Sequence, residues 1–170
     1  YNLDTTSNYL VGSSRNPGSA VNNFQGYISN HRAVKGTALY TADFTPSTTP
    51  FTTTSQSATE SEVEVLTCQS NRFLDNSTND FSITINGTPK VSTNTPFTVT
   101  KTANVGSGFF DGSGDELEIT NSSDFAFGTG DFQISLWVYL LENSGGLVGL
   151  TGGTAVGYWC LTANGGTLYF

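Results

Sequence analysis

Apolar and polar residues alternate along this chain in short runs, and Gly, Asn, Ser and Pro interrupt the runs throughout. No segment keeps a 3.6-residue apolar period for three turns, so the pattern predicts strands rather than amphipathic helices. Residues 8–12 read as a short strand, 13–23 as a Gly/Pro/Asn-rich loop and 27–34 as a longer strand. Strict alternation in that longer strand sets Tyr27, Ser29, His31 and Ala33 on one face, with Ile28, Asn30, Arg32 and Val34 on the other. A turn-rich tail begins at residues 38–41, and Pro46 and Pro50 keep it extended. Further strands are predicted around Val63–Leu66, at 81–85 and at Lys90–Val91, with Asn86–Gly87 as a hairpin turn. From residue 108 the pattern sharpens. Residues 109–110, 116–120 and 132–139 are the clearest strands, the last rich in aromatic and β-branched side chains, and 158–161 adds another.

Composition narrows the class. The 170 residues are long enough to bury a core, yet only 12% are charged, so Ser, Thr, Asn and Gly must keep the surface wet. Six basic residues against fourteen acidic ones give a net charge of −8. Such a field repels nucleic acid and anionic membranes, and both are set aside as partners. No apolar run approaches the roughly 20 residues needed to cross a bilayer, and no signal-peptide pattern is visible. The sequence has no Met, which reads as a processed product or, the favoured reading, a piece of something longer. Cys68 and Cys160 sit in apolar, strand-like settings and read as reduced thiols that behave as small apolar side chains, with a mutual disulfide as the alternative.

Three stretches carry a resemblance. GYISNHRAVKGTALYTADFTP (26–46) resembles the closing strands of a concanavalin-A-like, laminin-G-like jelly roll. VLTCQSNRFLDNSTNDFSITINGTPKVSTNTPF (65–97) resembles the connector that follows such modules, and FFDGSGDELEITNSSDFAFGTGDFQISLWVY (109–139) resembles the start of the next one. Together the three are similar to tandem repeat proteins of tailed, chiefly marine, phage virions. The resemblance implies an all-β, antiparallel sandwich and a division into three parts. Residues 1–51 would end one lectin-like sandwich, 52–106 would be a linker with a small β connector, and 107–170 would begin a second sandwich. Each half-built sandwich would then need strands from outside this stretch or from another chain. The resemblance also implies a structural or adhesive role on the particle surface, in a tail fibre, spike or capsid decoration. Its expected partners are other virion proteins or further copies in a homo-oligomer. Asn30 stands where the wider superfamily frequently has Asp, which weakens an inherited calcium site. Glu116 stands where an aromatic or aliphatic residue is usual.

Candidate chemistry is sparse. Glu60, Glu62 and Glu64 recur at every second position, which on a strand would put three carboxylates on one face, as glycoside hydrolysis could use. The intervening Ser61, Val63 and Val65 read as the buried side, so a solvated face is expected and no enzyme. Asp111, Asp115 and Asp131, with Asp124, lie in Gly-rich turns whose oxygens could hold calcium, the one candidate cofactor. The same aspartates could equally cap their own turns. His31 is the sole histidine and reads as a strand-face residue. Tyr158 and Trp159 point to opposite faces, so one of them could serve as a sugar platform, which makes host surface glycans the alternative partner. Asn76, Asn86 and Asn121 begin formal glycosylation sequons, which an Asn/Ser/Thr-rich composition produces by chance.

Overall fold

A computed structural model describes residues 7–14, 22–98, 105–150 and 159–170. Its strands are, in chain order, β1 (Tyr9–Val11), β2 (Ser13–Ser14), β3 (Asn22–Asn23), β4 (Gln25–Lys35), β5 (Val63–Thr67), β6 (Ile83–Asn86) and β7 (Lys90–Ser92). After these come β8 (Ser107–Asp111), β9 (Glu116–Ile119), β10 (Phe132–Leu140), β11 (Ser144–Leu150), β12 (Cys160–Asn164) and β13 (Thr167–Tyr169). The helical residues among those described form single 3-10 turns at Ser55–Ser57, Glu60–Glu62 and Ser123–Phe125. The fold is an all-β, antiparallel sandwich of the jelly-roll kind.

One layer has six strands in the order β13-β12-β11-β1-β9-β6, and the other has the order β10-β4-β8-β7 with β5 also on β4. The inner face of the six-stranded layer carries Tyr9, Val11, Leu117, Ile119, Val148 and Leu150, all buried. The facing layer contributes Ile28, Ala33, Val65 and Phe110. Burying each such side chain contributes on the order of 1.5–3 kcal/mol, so this interior outweighs any polar contact in the molecule. Aromatic rings fill the space between the layers: Tyr9 stacks on Phe125 at 4.3 Å, and Phe127 lies on Phe132 at 4.7 Å.

The structure shows how the two end segments meet. β1, from the start of the chain, lies between β9 and β11, while β4 lies between β10 on one edge and β8 with β5 on the other. The division at residues 1–51, 52–106 and 107–170 therefore does not correspond to separate bodies. Strands from the first and the last of these parts pair with one another, and their side chains share one continuous core.

β4 organises its layer, and it departs from strict alternation. Ile28, His31 and Ala33 turn to the core side, whereas Tyr27, Ser29, Arg32 and Val34 turn outward. The faces exchange at Asn30, which has φ 54°, in the left-handed region, and the register with β10 shifts there from Arg32↔Ser135 to Ser29↔Trp137. One extra residue in β4 forms a bulge. β5 has its own shift between Ala33↔Val65 and Val34↔Val63, which leaves Glu64 as the extra residue.

Outside the five-stranded layer, the chain from residue 36 to 58 folds back as a cover. Leu39, Phe51 and Ala58 pack on Val34, Val63, Leu66 and Trp137 in a second apolar cluster. Arg32 is fully buried beneath this cover. Its guanidinium carbon lies 4.5 Å from the centre of the Phe51 ring, and Nη1 donates to the Thr52 and Ser55 carbonyls at 2.9 Å. Burial depresses its pKa, and Nε and Nη2 have no hydrogen-bond partner.

His31 is buried against Tyr9, whose hydroxyl lies 2.8 Å from Nε2. Desolvation lowers its pKa to about 3, so the folded protein keeps a neutral imidazole while the unfolded chain binds a proton below about pH 6.5. Stability is therefore present above that pH and lost as pH falls towards the folded value. Between pH 5.5 and 4 the slope should be about 1.4 kcal/mol per pH unit from this group alone. Urea midpoints for wild type and His31→Gln over that range test this. The variant is expected to show the shallower pH dependence, and parallel profiles would refute the assignment.

Candidate functional site

The open part of the outer face lies beside the cover, where β4, β8 and β10 run together. Alternation along β10 turns Trp137 and Tyr139 outward, β4 places Tyr27 and Ser29 next to them, and β8 adds Ser107 and Phe109. The segment Asn94–Thr95–Pro96 forms the far wall of a groove of about 520 Å³. Its aromatic rings support one another: Tyr27 is 5.1 Å from Phe109 and 6.2 Å from Tyr139, and Trp137 meets Phe97 edge-on at 5.7 Å. Tyr139 is 66% exposed, which makes it the ring most available to a ligand.

The groove floor is polar. Ser29 Oγ donates to the Gly106 carbonyl at 2.7 Å and accepts from Asn30 Nδ2 at 2.9 Å. Ser107 Oγ is buried and has no partner. The lining holds no Asp, Glu, His, Cys, Lys or Arg, so the groove offers ring faces, hydroxyls and amides without a carboxylate. It can bind a neutral ligand by stacking and hydrogen bonding, but it brings no acid–base pair to a bond.

The residues singled out in the sequence lie elsewhere. Trp159 is buried in the core at 7% exposure, with Phe127, Phe170 and Tyr9 rings within 5.9 Å. It offers no face to a sugar, because the sandwich closes over it. Tyr158 lies outside the described residues. Glu60 and Glu62 belong to a 3-10 turn, and Glu64 is the bulged residue of β5, so the three carboxylates share no strand face. Glu62 accepts from Thr37 Oγ1, Glu64 accepts from Asn79 Nδ2 at 3.0 Å, and desolvation raises the Glu64 pKa.

The aspartates divide in the same way. Asp115 is fully buried, and its carboxylate accepts the Thr88 and Asp111 backbone N–H groups at 2.6 and 3.0 Å. Asp111 accepts the Ser113 N–H at 2.8 Å. These contacts brace two turns against each other. Gly87, at φ 75°, is required there because a Cβ would lie 2.5 Å from the Asp115 carboxylate. Asp131 sits beyond the opposite end of β4, where its carbonyl accepts from Gly36. The eleven residues of β4 separate it from Asp111, roughly 30 Å at the usual rise. Among the described residues, no group of three His, Cys, Asp or Glu side chains could hold a metal ion. Neither Cys68 nor Cys160 forms a disulfide, and burial pushes the Cys68 thiol up to about 12.

The bracing role of Asp115 is testable. Asp115→Ala leaves two N–H groups without an acceptor and is expected to cost about 2–4 kcal/mol. The loss should be the same with or without millimolar calcium in thermal melts. A gap between wild type and variant that opens only when calcium is added would assign these oxygens to a metal instead.

No family model matches the chain, and neither does any curated protein or solved structure.

Proposed function

We propose that this chain is a non-catalytic structural and adhesive module of a phage virion, displayed on the particle surface as part of a tail fibre, spike or capsid decoration. The observation that carries this reading is the character of the open outer face. A rigid sheet presents aromatic rings and hydroxyls there with no acid–base pair beside them, a surface made for contact. The three sequence stretches that resemble repeat modules of virion proteins support the same reading. Other virion proteins or further copies of the chain would supply the partners. The test is quantitative mass spectrometry of purified particles, which should contain the chain in fixed stoichiometry. Recovery only as free protein in the lysate would remove the idea.

The groove favours a second reading within the same contact role, a carbohydrate-binding module for host surface glycans. Flat tyrosine and tryptophan faces suit the apolar faces of pyranose rings, and the serine and asparagine groups suit sugar hydroxyls. Losing one stacking ring typically costs 0.5–1.5 kcal/mol, so Tyr139→Ala should weaken a bound neutral oligosaccharide by up to roughly tenfold. A glycan array run with and without a chelator checks both points. Binding that survives Tyr139→Ala unchanged would exclude the groove, and binding abolished by the chelator would move the site to a calcium ion.

A further inference from the structure

β10 is nine residues long, FQISLWVYL, with neither a charge nor a proline in it. It forms one end of its layer: β4 occupies one edge, and among the described residues nothing pairs with the other. The direction of its backbone groups follows from two flanking hydrogen bonds. Leu141 N donates to the Gln25 carbonyl at 3.1 Å, and the Asp131 carbonyl accepts from Gly36 N at 2.7 Å. Odd-numbered residues therefore turn their N–H and C=O groups towards β4. By the alternation of an antiparallel ladder, Phe132, Ile134, Leu136, Val138 and Leu140 aim theirs at the free edge.

Natural sheets guard such an edge with a lysine, a proline, a bulge or a short strand, because unpaired backbone groups are a template for another strand. β10 has none of these guards, since the bulge of this ladder lies on β4. The other outer strands differ: β13 and β7 have three residues each, β6 has four and β5 has five, β7 begins with Lys90, and the Leu66 carbonyl of β5 already accepts from Asn76 N.

We propose that the free edge of β10 pairs antiparallel with β10 of a second copy of this chain, about a two-fold axis at Leu136. A two-fold interface needs a self-complementary surface, and this strand reads nearly the same in both directions. With Leu136 opposite itself, Ile134 meets Val138 and Phe132 meets Leu140. On the outer side, Ser135 meets Trp137 and Gln133 meets Tyr139. Every pair on the core side is then apolar, and Val138, 37% exposed in the single chain, is covered. The two five-stranded layers become one continuous sheet. Asp131 and Glu142 flank the strand, and each copy carries a net charge of −8. Like charges approach at both ends, so added salt strengthens the pairing by screening.

The inference deepens the structural reading above by naming the edge through which copies would join. It is separable from that reading, because a chain that stays monomeric yet fractionates with particles would remove only the dimer. Sedimentation equilibrium of the whole chain should show a monomer–dimer equilibrium that tightens severalfold between 50 and 500 mM NaCl. Val138→Lys places two ammonium groups against the facing strand and should weaken the dimer at least tenfold, with unchanged far-ultraviolet circular dichroism. Amide exchange of the unaltered chain gives a readout independent of any variant. The N–H groups of Ile134, Leu136 and Val138 should gain protection as concentration rises through the dimer range. A monomer at several hundred micromolar in high salt overturns the proposal. So does a dimer that leaves these three amides exchanging at the monomer rate.

Discussion

Asn30 adopts a backbone conformation that an ordinary strand residue avoids, and the outer layer of the sandwich is arranged around it. At φ 54° it lies in the left-handed region, where asparagine is one of the few tolerated side chains. Its amide makes the conformation worth keeping. Oδ1 accepts from Phe51 N at 2.9 Å and from Gln69 Nε2 at 2.8 Å, while Nδ2 donates to Ser29 Oγ. The backbone N–H of Asn30 meanwhile donates to the Cys68 carbonyl. The side chain thus joins β4 to the cover at Phe51 and to the segment after β5. An aspartate here could accept those bonds but could not donate to Ser29, and it would place a full charge at a position with no solvent exposure. The departure read from the sequence as a weakened calcium site is, in the structure, the neutral group that this junction needs.

The few charged residues that are buried do similar work. Asp75 accepts four bonds, from Leu66 N, Ser77 N, Ser77 Oγ and Phe81 N, and so fixes the loop between β5 and β6. Asp115 braces two turns, and Arg32 holds the cover down through backbone carbonyls. Each hydrogen bond to a charged group contributes roughly 1.5–3 kcal/mol. Asp75, with four donors, recovers its desolvation more fully than Arg32, whose Nε and Nη2 remain unpaired. The cation over Phe51 offsets part of that deficit. In a sequence with 12% charged residues, ionic groups therefore anchor loops, and the interior between the sheets stays apolar.

Much of the strand content was legible because period-two alternation is a local property. β9, β10 and the turn at Asn86–Gly87 follow directly from residue order. The faces of β4 were not legible, since a bulge changes no residue type and shows itself only through its partner's register. Glu60–Glu62 failed for a related reason: alternating carboxylates suit a strand, but a 3-10 turn forms before β5 begins. Alternation sets Tyr158 and Trp159 on opposite faces without saying which is the inner one, and only the closing of the sandwich shows that the Trp159 ring belongs inside. The groove was missed because its walls are distant in sequence. Tyr27 and Tyr139 share a register pair across β4 and β10, and no spacing rule joins residues so far apart. The available signal was the outward parity of Trp137 and Tyr139 in the best-predicted strand.

The pairing of the two end segments has a simple physical basis. A sandwich core is held by which faces meet, and burial does not depend on the order in which strands leave the chain. The cost of a different order lies in loop closure, which grows only with the logarithm of loop length, about 0.6 kcal/mol for each doubling. Segments distant in the sequence can therefore join into a single interior, as the two ends of the described chain do here. β4 is where they join, with β10 and β8 from the later segment on its two sides. The bulge at Asn30 lets β8 and β5 share one edge of β4 while β10 runs the full length of the other. The same arrangement turns Tyr27 and Ser29 out into the groove, and among the described residues the far side of β10 has no paired strand. The distortion in β4 thus decides both which of its side chains face outward and which strands flank it.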